Sequence, residues 1–141
     1  MPEFVTHAQF ERQFPVLVLD QRTLPKQRGA MRILLVSMMV GIEVGRVYGE
    51  TEINAKLQRW VANFGEGMGF DRVAIRRALV DEGLLHRDAA GTTYVLRART
   101  PLFGYDPSIR DLDLNGLVDD LERQRAERRR SYAEQIDREG I

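Results

Sequence analysis

The sequence contains no cysteine, which excludes disulfide bonds, zinc–thiolate centres and cysteine nucleophiles. Its two histidines, His7 and His86, are far apart in the chain, so we expect no metal site and no other cofactor. A long apolar run is also missing, because the stretch from Ile33 to Ile42 is far shorter than the roughly 20 residues of a membrane span. No signal peptide is recognisable either, so we expect a cytoplasmic protein without membrane contacts.

The charge that is present is unevenly distributed. The chain has 141 residues and a net charge of zero, but residues 21–100 hold 13 basic and 8 acidic side chains. Nineteen of the 21 basic residues are arginine, whose planar guanidinium suits phosphate and guanine. A basic central segment is typical of nucleic-acid binding, although a GC-rich genome would also favour arginine.

Apolar spacing predicts a mainly α fold with one small β-hairpin. Thr6 caps a first helix that ends at Pro15, and residues 16–19 are then extended. Further helices are expected over residues 27–44, from Gly49 to Phe64, and from Asp71 to Glu82. Residues 84–87 and 92–96 form the hairpin. We expect Trp60 to be buried between the helix at 27–44 and the helix that begins at Asp71.

From residue 27 onward the elements follow the order helix, short strand, helix, loop, helix and two-stranded hairpin, which is that of a winged helix. The predicted organisation is an N-terminal helix and extended segment (1–21), a winged-helix-like domain (22–97), an irregular linker (98–111) and a long charged C-terminal helix (112–141). In that arrangement the helix that begins at Asp71 is the recognition helix and the hairpin is the wing.

Residues 24–96 resemble a bacterial family known as "domain of unknown function 2087". The resemblance rests on the segments 24–26, 48–54 and 75–87, together with Asp71, Gly91 and Tyr94. The family usually has Ser or Thr where this chain has Gly49. The resemblance implies a winged-helix-like fold and a role in transcriptional regulation. In several members the domain follows a separate helix-turn-helix.

Arginines of the third helix are the candidate contacts to a DNA groove. Arg77 points away from the apolar face and ranks first, before Arg72 and Arg76. The alternative to a DNA contact is that Arg77 forms an i, i+4 ion pair with Asp81.

Burial of Val80 would turn Arg76 inward, towards a carboxylate such as Glu50 or Glu52. Other basic residues would contact phosphates without reading sequence. These are Lys56, Arg59, Arg87, Arg97 and Arg99.

The function expected from these features is a DNA-binding transcriptional regulator. The alternative is a non-catalytic protein-interaction or dimerisation module, because the C-terminal helix carries an apolar stripe within many charges. No set of nucleophile, base and orienting residue is visible, so we expect no enzyme. The stripe consists of Leu114, Leu117, Val118 and Leu121, and it predicts a homodimer with Leu117 and Leu121 as central contacts. The competing outcome is a helix that docks at its start on its own domain and then projects freely.

Overall fold

The computed structural model describes residues 3–140, and within them it is mainly helical, as expected from the sequence. The helices are α1 (His7–Asp20), α2 (Arg28–Met38), α3 (Glu50–Trp60), α4 (Arg72–Asp81) and α5 (Leu114–Glu139). The strands are β1 (Glu3–Val5), β2 (Val47–Gly49), β3 (Leu85–Arg87), β4 (Thr93–Leu96) and β5 (Phe103–Tyr105).

The helix boundaries follow local capping chemistry. The Asp71 carboxylate accepts the N–H of Ala74 at 2.7 Å and so starts α4 where the sequence predicts it. At the start of α3, the N–H of Gly49 donates to the Glu52 carboxylate at 3.4 Å. Gly83 follows α4 with φ +81°, a left-handed conformation that ends a helix and favours glycine.

The predicted hairpin is present and belongs to a three-stranded antiparallel sheet. Its order is β2–β4–β3, with Tyr48 opposite Tyr94 and His86 opposite Val95. Both tyrosines are buried, so the inner face of the sheet packs on the helices. The sheet therefore fixes the hairpin beside α3 and α4.

Helix α2 forms the centre of the core, as its apolar sequence predicts. Trp60 is buried against it, and the indole N–H donates to Ser37 Oγ at 2.9 Å. On its other sides the ring meets Phe64 and Phe70, with centroids 5.9 Å and 5.6 Å away. The expectation of a buried Trp60 is thus confirmed, and two of its neighbours are this aromatic pair.

The first helix does not end at Pro15. It continues to Asp20, so the expectation of an extended segment over residues 16–19 is wrong. Proline removes one backbone hydrogen bond, but Leu17, Val18 and Leu19 pack against the core only if the helix continues. The packing of α1 against α2 and α5 outweighs the free-energy cost of the hydrogen bond that is lost at Pro15.

Three other boundaries differ from those expected. Helix α2 ends at Met38, short of residue 44. Helix α3 gives way to a π-helical turn over Val61–Gly65. The segment expected to be an irregular linker contains β5 and a 3₁₀ helix, Pro107–Asp111, and β5 pairs in parallel with β1. Phe103 and Tyr105 are buried there, which explains why this segment is ordered.

A buried arginine joins the ends of the chain to its centre. Arg32 on α2 is 4% exposed. Its guanidinium donates to Glu3 on β1 at 2.5 Å and to Glu82, directly after α4, at 3.3 Å. It also lies 4.8 Å from the ring centroid of Phe103 on β5. A cation at this depth requires such partners.

We predict that Glu82→Gln lowers the free energy of unfolding by about 1–3 kcal/mol, because it weakens a charged hydrogen bond to a buried cation. Asp81→Asn is the matched control, since Asp81 is the exposed neighbour at the same helix end. It should change stability by less than about 0.5 kcal/mol. Urea denaturation of both variants tests this, and equal losses would contradict it.

Candidate nucleic-acid interface

An open groove of about 290 Å³ lies between α4 and the hairpin. Its walls come from α4, β3 and β4 only. The residues that line it are Val73, Arg76, Arg77, Val80, Asp81, Arg87 and Tyr94. Three of the predicted nucleic-acid contacts therefore meet in one place.

Arg76 is engaged in structure at the edge of this groove. Its guanidinium lies 2.5 Å from Asn54 Oδ1 and 3.3 Å from the Glu50 carboxylate, both on α3. It also lies 5.7 Å from the ring centroid of Tyr94. Because Val80 is partly buried, this is the inward arrangement that the sequence allowed as an alternative. Arg76 therefore sets the position of α4 against α3.

Arg72 and Arg77 are exposed on α4. Neither makes an ion pair or a side-chain hydrogen bond with any residue in the range 3–140, so the Arg77–Asp81 pair is not formed. Their guanidinium groups remain available for an anionic partner.

The other predicted phosphate contacts are distributed over several surfaces. Arg97 lies 3.0 Å from His86 Nδ1 on the outer side of the hairpin, and Arg99 is exposed beyond it. Lys56 donates to the carbonyl of Gly41 at 3.1 Å. Lys56 and Arg59 line a different cavity, between α3 and the start of α5, and do not face the groove.

The tip of the hairpin is held by one carboxylate. Asp88 accepts the backbone N–H groups of Thr92 at 2.7 Å and of Thr93 at 3.1 Å. These bonds, with the Thr93 N–H first, lower the pKa of Asp88 from 3.8 to about 2. Gly91 has φ +73°, and a Cβ there would lie 2.4 Å from the Arg87 guanidinium. Glycine at the tip therefore lets Arg87 fold closely over the turn.

Comparison with known proteins identifies the central part of the chain. Residues 21–96, more than half of the sequence, match the family described as "Uncharacterized protein conserved in bacteria (DUF2087)". The chain belongs to the DUF2087 family. Neither the curated proteins nor the solved structures include a significant match to it.

The DUF2087 domain contains α2 to β4 and the whole groove. The elements outside it pair with each other: β1 with β5, and α1 with α5. Leu114 and Val118 are buried, while Leu117 and Leu121 are partly buried. The apolar stripe of α5 therefore has a partner within its own chain.

Arg125 makes the last hydrogen bonds between α5 and the rest of the described residues. Its guanidinium makes two hydrogen bonds to Asp20, at 2.7 Å and 3.0 Å, which lower the pKa of the Asp20 carboxyl. Beyond it the helix is mostly exposed, and Tyr132 is 67% exposed.

A nucleophile, a base and an acid do meet outside the DUF2087 domain, although the sequence did not reveal them. His7 Nδ1 lies 2.6 Å from Ser108 Oγ, and His7 Nε2 contacts Glu11. However, the Ser108 hydroxyl and N–H also donate to Asp106, at 2.8 Å and 2.9 Å. Because the N–H groups of Ser108 and Ile109 are already bonded, neither is free to bind an oxyanion. The cluster links α1 to the 3₁₀ helix.

Two further observations concern the whole described range. In residues 3–140 no three His, Asp or Glu side chains are grouped so that they could hold a metal ion. None of the helices described there combines the length and apolarity needed to cross a membrane.

The sequence analysis missed Val73 as a groove residue. Val73 is 50% exposed on α4, one turn before Arg77. The helical spacing from Arg77 could have revealed it, because residues four apart lie on the same face.

We predict that the Asp88 carboxyl titrates near pH 2, because its hydrogen bonds favour the charged form. Because its pKa is lower in the folded protein, the ionised Asp88 carboxylate stabilises the fold. This stabilisation is complete above the unfolded-state pKa of 3.8 and is lost as the pH falls towards 2. The stability difference between the protein and Asp88→Asn should therefore shrink over that range. Side-chain NMR titration measures the pKa directly. Thr92→Ala removes the Thr92 hydroxyl, which donates to the Asp88 carboxylate at 3.0 Å, and should raise this pKa. A midpoint near 3.8 in the unsubstituted protein would contradict the prediction.

Proposed function

We propose that this protein is a cytoplasmic transcriptional regulator that binds double-stranded DNA through a winged-helix-like domain. Helix α4 would enter the major groove, and the β3–β4 hairpin would act as the wing. The observation that carries the proposal is a pair of exposed arginines on α4. Arg72 and Arg77 are unpaired within residues 3–140, and Arg77 lines the groove together with Arg87. Free arginines on a helix next to a hairpin suit a phosphate-lined groove.

The arrangement of the elements supports this proposal. Within the DUF2087 domain, α2, α3 and α4 precede the hairpin, and β2 adds a third strand to it. The residues that line the groove include none from α5, which packs on α1. The charged tail therefore leaves the α4 face open to a large partner.

The electrostatics near the groove also favour an anionic partner. The carboxylates at the start of α3 have cationic neighbours: Glu50 pairs with Arg76, and Glu52 lies 3.6 Å from Arg46. At the hairpin tip, the Asp88 carboxylate is occupied by the backbone. These three carboxylates therefore repel DNA phosphates less than free carboxylates would. The Asp81 carboxylate, at the end of α4, stays exposed.

We predict that the full chain binds mixed-sequence duplex DNA at ~50 mM salt. Binding releases counterions from the DNA, and this release is less favourable at higher salt. With about four phosphate contacts, the affinity should therefore fall by about a hundredfold at ~200 mM salt. Fluorescence anisotropy of a labelled duplex measures this. Replacing Arg72 and Arg87, two expected phosphate contacts, by alanine should reduce the salt slope by about two.

The matched control replaces Arg128 and Arg129, exposed on the distal part of α5, and should leave the slope unchanged. Absence of binding at ~50 mM salt would overturn the proposed function. Equal effects of the two double variants would show that contact with DNA is made elsewhere.

A non-catalytic interaction or dimerisation module is the second candidate, because of the distal part of α5. From residue 126 onward this helix makes no hydrogen bond or ion pair with the described body of the protein. A free helix of that length is marginally stable in water, so a partner would stabilise it. A second copy could also use the partly exposed edges of Leu117 and Leu121.

For this second candidate we predict a homodimer of the full chain and a monomer when the chain ends after Ala126. That truncation keeps Leu114, Val118 and the Arg125–Asp20 contact, so the folded body is retained. Light scattering at ~100 µM, far above a ~1 µM dissociation constant, measures the mass. Monomers from both chains would exclude dimerisation, and dimers from both would exclude the distal helix as its cause.

A further inference from the structure

The exposed face of α4 carries an apolar residue that the fold does not need. Val73 is 50% exposed and lies on the side opposite Ile75 and Leu79, which are buried in the core. A valine in this position contributes little to stability and presents two methyl groups to a partner.

Val73 belongs to a short row of side chains along α4. At about 100° per residue, Val73, Arg77 and Val80 lie within one narrow stripe. All three line the groove, which Arg87 and Tyr94 border on the hairpin side. The row alternates an apolar, a cationic and an apolar side chain.

The spacing of this row matches neighbouring base pairs. Val73 and Arg77 are four residues apart, which is about 6 Å along the helix axis. Base pairs in DNA are stacked about 3.4 Å apart, so the two side chains would meet bases within two steps of each other. A guanidinium pairs bidentately with guanine N7 and O6, and an apolar side chain contacts the methyl group of thymine.

We propose that Val73 and Arg77 determine the sequence specificity of DNA binding. Arg77 pairs with a guanine, and Val73 contacts the methyl group of a thymine within two base pairs of it. This inference rests on the proposed function and names the bases that the same surface reads. Arg76 does not read bases, because Glu50 and Asn54 hold its guanidinium. Its contacts instead keep the row at a fixed angle to the hairpin.

The experiment begins with selection of bound sequences from random duplex DNA by the full chain. We expect an enriched motif with a thymine and a guanine at most two base pairs apart. Replacing that thymine by uracil removes only its methyl group and should weaken binding about fourfold, the factor expected for one buried methyl group. Val73→Ala should bind both sites equally. Arg77→Ala should lose the preference for guanine over adenine, expected to be about tenfold to a hundredfold.

Val47→Ala is the matched control, because Val47 is 60% exposed on β2 and does not line the groove. It should still distinguish thymine from uracil. Thermal melting of each variant establishes that it folds, as expected for exposed positions.

The outcomes separate the specificity proposal from the proposed function. Salt-dependent DNA binding without an enriched motif would overturn the roles of Val73 and Arg77 and leave DNA binding intact. A motif whose recognition ignores the thymine methyl group would overturn the role of Val73. If the protein does not bind DNA but binds a hexaglutamate peptide through Arg77, both the specificity proposal and the proposed function are overturned.

Discussion

Arg32 carries a charge into the apolar core, and a charge at that depth is tolerated only when it is paired and hydrogen-bonded. Its two carboxylate partners come from distant parts of the chain, Glu3 on the first strand and Glu82 directly after α4. The ring of Phe103 covers the guanidinium from β5. One side chain thus links α2 to both strands of the parallel pair and to the helix that lines the groove. This single side chain thereby sets the relative positions of four elements.

The consequence for the groove is that α4 is held at its middle and at its C-terminal end. Near its middle, α4 is connected to α3 by Arg76, and just after its end Glu82 connects it to α2. The arginines of this region are therefore divided by their surroundings. Arg32 and Arg76 have carboxylate partners and hold the fold together, whereas Arg72 and Arg77 face the solvent. Composition alone could not separate these two groups, because all four residues belong to the same basic segment.

Features controlled by neighbours in sequence were predictable. The cap at Asp71, the glycine after α4 and the β3–β4 hairpin depend on residues close together, and the structure confirms each. Features that depend on distant partners were not. Pro15 marks a helix end by local rules, but the packing of α1 on α2 and α5 carries the helix through it. The pairing of β1 with β5, about one hundred residues apart, left no periodic signal in a segment that resembles a linker. Within the groove, the spacing predicted Arg77 to be outward and places Val73 one turn away on the same face. That an apolar side chain stays exposed there depends on what surrounds α4.

The pairing of α1 with α5 has a consequence for synthesis on the ribosome. Of these two helices, α1 is translated first, and about one hundred more residues must follow before the part of α5 that covers it leaves the exit tunnel. Until then the side of α1 that faces α5 is exposed, and exposed apolar surface on a nascent chain is prone to aggregation. The intervening DUF2087 domain supplies most of the core residues and the three-stranded sheet, and it can begin to fold during this interval. Contacts so distant in sequence form slowly, so closure of the two ends is expected to be the last step of folding.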